Sequence, residues 1–164
     1  MASENSMDIV VRFDFQELRN AVDQCKRDAT NRYDLKDANV EIELNDDNIK
    51  ITAQTEYQLD AIHTMLMEKM TKRGVSPKVL KKEKIEEIGG MRVRQEFKLI
   101  KALDGENAKL ISKKVRDAFP KAKPSIQGDT VRVSSKSIDD LQGIMRMLQV
   151  DETINLPLEF TNYR

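Results

Sequence analysis

The chain holds a single histidine and a single cysteine, so any chemistry resting on those groups has one candidate each. His63 has the chemistry of a base or a metal ligand. It adjoins Ile62 on an apolar stripe, and its counterpart in an internal repeat is Met145, which together read as a histidine at the edge of a core. Cys25 aligns with Val115 and reads as a buried thiol. One of each cannot assemble a zinc site of the usual composition within one chain. A lone cysteine also excludes an internal disulfide and fits a reducing cytosol. Gly89-Gly90 lacks the glycine pattern and Lys-Ser/Thr of a phosphate loop. The acidic pairs Asp46-Asp47, Glu86-Glu87 and Asp139-Asp140 suit a turn, a strand edge and a helix start. No nucleophile has a general base near it in sequence. The expectation is a protein without catalysis and without a cofactor.

Basic side chains offer more. Arg92, Arg94, Lys98 and Arg132 alternate with Val93, Phe97, Val131 and Val133, so they are expected on the exposed side of one sheet. Such a face grips phosphates by charge-assisted hydrogen bonds. In the first half, Glu41, Glu43 and Lys50 occupy the same kind of position and largely offset one another. An RNA-recognition sheet wants exposed aromatic rings, whereas these strands present Lys50, Thr52, Arg132 and Ser134. The whole chain balances 28 Lys/Arg against 28 Asp/Glu. Residues 1–88 hold 14 against 18 and residues 89–164 hold 14 against 10, so the second half is better placed to meet an anion. No apolar run reaches the length of a membrane span, and MASENS has no signal-peptide architecture. A short loose tail and a cytoplasmic location are expected.

These side chains must be positioned by a duplicated unit. Shifted by about 82 residues, Ile49, Ile51, Thr55, Leu59, Ile62 and Leu66 fall on Val131, Val133, Ser137, Leu141, Ile144 and Leu148. Gly128-Asp129 marks a hairpin turn, and the hydroxyls of Thr55 and Ser137 mark helix starts. Asp14 and Asp104 cap the other two helices. Val79–Ile88 is crowded with Lys and Glu and reads as an edge strand; Pro157 puts the last strand at an edge as well. Each half spells strand, helix, strand, strand, helix, strand. The expected fold is α+β, two ferredoxin-like βαββαβ sandwiches in tandem, over residues 1–88 and 89–164 with Gly89-Gly90 as the boundary. Similar outer strands can be exchanged between the units, and the sequence does not specify which sheet each joins.

Several stretches taken together resemble the YajQ family of small bacterial proteins. They are Arg32-Tyr33-Asp34-Leu35-Lys36, Lys72-Arg73-Gly74, Val93-Arg94-Gln95, Ile126-Gln127-Gly128-Asp129-Thr130-Val131-Arg132-Val133, Asp139-Asp140-Leu141-Gln142 and Phe160-Thr161-Asn162-Tyr163-Arg164. The resemblance runs in order from Met7 onward, and the ending looks most like cyanobacterial members. It implies two ferredoxin-like domains and nucleotide or nucleic-acid binding. Some members are cyclic di-GMP receptors that act through a transcription-factor partner. Leu35 stands where the family loop usually has an aromatic residue and Asp37 where it has glycine, which removes a stacking ring and adds a carboxylate. The resemblance and the exposed basic positions together nominate Arg32, Lys36, Arg94, Arg132 and Arg164 for phosphate. Asp34 is nominated for the guanine N1 and N2 donors. Binding to RNA, including tRNA, through the net-positive half is the alternative; a module that binds only proteins is a third.

Overall fold

A computed structural model describes residues 4–36 and 39–164; Asp37 and the first three residues of the expected tail lie outside the described residues. Among the described residues eight strands and four α-helices follow in the order β1 (Asn5–Val11), α1 (Phe15–Asn31), β2 (Glu41–Leu44), β3 (Asn48–Ala53), α2 (Glu56–Lys72), β4 (Leu80–Ile88), β5 (Arg92–Leu99), α3 (Gly105–Ala118), β6 (Lys123–Gln127), β7 (Thr130–Ser135), α4 (Ile138–Val150) and β8 (Leu158–Thr161). Asn5 and Ser6, expected in the loose tail, already belong to β1.

Local chemistry accounts for the helix starts. The side chains of Asp14, Thr55, Asp104 and Ser137 each accept from the backbone N–H three residues on, which satisfies a donor that the first turn leaves open. Thr55 and Gln58 complete a reciprocal capping box. α2 stops where Gly74 takes φ +77°, a left-handed conformation that costs glycine little.

The chain forms two compact units, one of the residues up to Arg12 together with Lys101–Arg164, the other of Phe13–Ile100. Their antiparallel sheets run β6-β7-β1-β8 and β2-β3-β5-β4. Both orders are the ferredoxin-like order, with the strand that begins the motif lying between its third and fourth. In the first unit that place is taken by β1, and in the second by β5, which comes last instead of first. The opening strands of the two repeats are therefore exchanged. The boundary expected at 88/89 falls inside the β4–β5 hairpin, where Gly90 and Met91 make the turn with φ +78° and +58°. β4 and β8 are edge strands, as their charges and Pro157 suggest.

Within the Phe13–Ile100 unit, Leu18, Val22 and Cys25 of α1 and Leu59, Ile62 and Leu66 of α2 pack with Ile49, Ile51 and Phe97 of the sheet. In the other unit Met7, Ile9, Val131 and Val133 are buried, as are Ile111, Val115, Ile144 and Leu148 of its helices. The alternation on β5 and β7 is thus real, but their apolar faces serve different cores.

Candidate functional site

α1 ends at Arg32, whose carbonyl accepts from the N–H groups of Leu35 and Lys36 at 3.0 and 2.9 Å. Leu35, 1% exposed, anchors this turn in the core, and Tyr33 projects outward, 89% exposed. The position where a stacking ring was missed is thus a core position, and the ring available to a ligand is its neighbour. The Lys36 ammonium lies 5.7 Å from the Tyr33 ring centroid, a cation–π distance. Arg32 Nε lies 2.8 Å from Asp34 Oδ1. A cleft of about 380 Å³ adjoins the turn, with Lys26, Thr30, Lys36 and Glu41 among its polar residues and Leu35 and Ile42 among its apolar ones. Among the described lining residues two ammonium groups stand against one carboxylate, which favours an anionic guest, and the volume lies within the range of small-ligand clefts.

The other nominated residues are dispersed. Arg94 lies on β5 in register with Thr52 and Glu86, and Thr52 in turn pairs with Glu41, so carboxylates stand along its row. Its guanidinium has no hydrogen bond or ion pair among the described residues. Arg132 belongs to the other sheet, and the single basic face expected for Arg92, Arg94, Lys98 and Arg132 does not form: β5 pairs with β3 and β4, β7 with β1 and β6. Arg132 is also engaged. Its Nε and Nη2 donate to Asp8 at 2.8 and 3.4 Å, and Asn162 donates to the same carboxylate at 2.8 Å. These bonds, the Arg132 contact foremost, outweigh burial and hold the Asp8 carboxyl below its ordinary range. Arg164 exchanges backbone hydrogen bonds with Ser6 and is among the residues that line a groove beside α4, and its charge adds to the lowering of the Asp8 pKa. Arg92, opposite Ile88, donates to the carbonyl of Asn39.

His63 packs on Phe97 with 4.6 Å between ring centroids, and burial, helped by Lys82 and opposed by Asp60, lowers its pKa. Cys25 is buried; desolvation chiefly, with the charge of Asp28, pushes its thiol up to about 11, so it stays protonated at neutral pH. Among the described residues no cluster of three His, Cys, Asp or Glu is placed to hold a metal, and no helix is long and apolar enough to cross a membrane.

Sequence reasoning missed Lys26 and Asp8. Lys26 carries a usable signal, since Ala29 and Thr30 stand three and four residues on and share its helix face. Asp8 carries none, because its partner lies 124 residues away.

Over residues 5–164 the chain matches the family model described as "Nucleotide-binding protein YajQ-like". Proteins named as nucleotide-binding from Trichodesmium erythraeum, Nostoc punctiforme and Synechococcus elongatus are 51%, 52% and 48% identical to it over 164 residues, spanning 100% of both chains in each case.

Proposed function

The chain belongs to the YajQ-like family, and from that membership we propose that it is a non-enzymatic nucleotide-binding protein whose ligand is cyclic di-GMP. The reading is carried by the cleft beside the Arg32–Lys36 turn. Lys26 and Lys36 supply cations for phosphate. The exposed Tyr33 ring supplies a stacking surface. Asp34 is ion-paired with Arg32 through Oδ1, and a carboxylate keeps further lone pairs for the N1–H and N2–H donors of guanine. The salt bridge then holds Asp34 in place. Arg94 offers an uncommitted guanidinium group for phosphate; Arg164, in the other unit, already acts on the Asp8 carboxylate, and Arg132 takes part only by leaving Asp8. A receptor of this kind reports ligand through a protein partner, a transcription factor being the expected class.

Titration calorimetry with cyclic di-GMP, alongside thermal unfolding, tests the reading. Ligand at about 100 μM should raise the melting temperature, since it binds the folded state alone. Lys26→Ala and Lys36→Ala should each weaken binding by about tenfold, the worth of one charge-assisted hydrogen bond. Absence of both heat and stabilisation rejects cyclic di-GMP.

The RNA alternative loses its charge argument once the strands are regrouped. The unit containing Lys101–Arg164 holds 12 Lys/Arg against 11 Asp/Glu, and Phe13–Ile100 holds 16 against 17. A steep fall of affinity with salt would revive that alternative, because each neutralised phosphate releases counterions.

A further inference from the structure

We propose that Arg92 is a positioning residue of the cleft beside the Arg32–Lys36 turn: it holds the end of one cleft wall in place without touching the ligand. The proposal rests on the reading of that cleft as the nucleotide site and adds a residue outside it on which binding depends.

The wall in question runs along Asn39, Val40, Glu41 and Ile42. Its second half is fixed by the sheet, since Glu41 stands opposite Thr52 and Ile42 opposite Ile51. Asn39 lies beyond that ladder. It has φ +50°, a left-handed conformation that costs asparagine less than most residues but more than glycine. What holds it is Arg92, whose Nη2 donates to the Asn39 carbonyl. Among the described residues Asn39 makes no other hydrogen bond.

The reach of Arg92 follows from register. β5 pairs with β3 as far as Val93 opposite Ala53, so Arg92 stands one residue past the end of that pairing. Val93 packs against the core, which turns Arg92 to the opposite face of the sheet. β3 lies between β5 and β2, so the guanidinium passes the end of β3 to reach Asn39. There its Nη1 lies 3.9 Å from Glu41 Oε1. Both contacts of this side chain thus fall on the wall, while Arg92 is not itself among the described residues that line the cleft. The crossing has a cost, because Arg92 Nε is buried without a partner. A buried unpaired donor lowers stability, whereas Asn39 is exposed and its carbonyl can turn to water. Arg92 therefore does more for the geometry of the wall than for the stability of the fold.

Calorimetric titration of the full-length protein with cyclic di-GMP, with thermal unfolding of the free protein in parallel, tests this role. Arg92→Met keeps an unbranched stem and removes both the bond to Asn39 and the orphan donor. It should weaken binding about tenfold, the result when the wall keeps its binding conformation about a tenth of the time, while the melting temperature does not fall. Arg92→Lys retains a donor for the Asn39 carbonyl and should keep most of the affinity. The dependence of affinity on salt should stay as in the parent protein, since no phosphate contact is lost, whereas Lys26→Ala should flatten it. Parent-like affinity in Arg92→Met overturns the positioning role and leaves the cleft reading standing. A salt dependence flattened as much as by Lys26→Ala overturns it too, because Arg92 would then bind phosphate itself. Affinity and melting temperature that fall together, with no rescue by lysine, make Arg92 a structural residue and overturn the proposal. Binding that ignores both Lys26→Ala and Lys36→Ala, or no binding by the parent protein, overturns the cleft reading and this inference with it.

Discussion

Asp8 alternates with the core residues Met7 and Ile9 and is 5% exposed, its carboxylate accepting from Arg132 and Asn162. Its folded pKa is depressed, so its contribution is present above the unfolded value of about 3.9 and is lost as pH falls through the folded value. Asp8→Asn should therefore lower stability at pH 7 and flatten the acid limb, in urea unfolding followed from pH 6 down to about pH 2. His63 titrates in another window. Burial depresses its folded pKa, so stability should be full above the unfolded value of about 6.5 and decline as pH falls through the folded one. Unfolding midpoints at about pH 7.5 and pH 5.5 should differ less in His63→Phe than in the parent protein. The core-edge character of His63 was legible from the helical stripe it adjoins. The engagement of Arg132 was not, because alternation tells which side of a strand a residue faces and nothing of the carboxylate on the neighbouring strand.

Elements carry their own tests. Thr55→Ala removes one hydroxyl that accepts from Gln58 N–H, and the loss of such a cap costs about 1 kcal/mol. Gly143 lies within α4, where alanine ordinarily gains about 1 kcal/mol over glycine. Here a Cβ would stand 2.8 Å from the Phe119 ring, so the ring must move. The overpacking cost of about 1–3 kcal/mol should at least cancel that gain, so Gly143→Ala should fail to stabilise the protein in denaturant unfolding. Combined with Phe119→Leu, the same substitution should turn less harmful than the sum of the two alone. The four caps, the hairpin at Gly128 and the charged edge strand β4 were all legible, since each depends on residues a few positions apart. The pairing of the chain's end was not: Thr161 stands opposite Asp8 but Arg164 opposite Ser6, a register set by residues more than 150 positions away.

At the scale of the molecule, the duplication and its sheet type could be read from the 82-residue spacing, but the exchange of β1 and β5 could not. A half-buried strand shows its apolar face without showing which sheet receives it. Regrouping has a direct consequence for fragments. A chain of residues 13–100 contains every strand of the β2-β3-β5-β4 sheet and should unfold cooperatively on its own. Residues 1–88 lack β5 and residues 89–164 lack β1, each an interior strand. Both should show weak, non-cooperative circular-dichroism transitions, and recovery of sharp unfolding in either one would overturn the exchange.

During translation, β1 leaves the ribosome ahead of everything it will pair with. Its contact with Arg132 spans 124 residues, and the whole Phe13–Ile100 unit is synthesised while it waits. Closing so long a loop costs only about 0.6 kcal/mol for each doubling of length, so the burden falls on the rate of assembly. An unpaired strand searching that long for its sheet fits the same vacancy in a sister molecule. Refolding at rising protein concentration should therefore trap dimers that have traded their first strands, separable from monomer by size-exclusion chromatography.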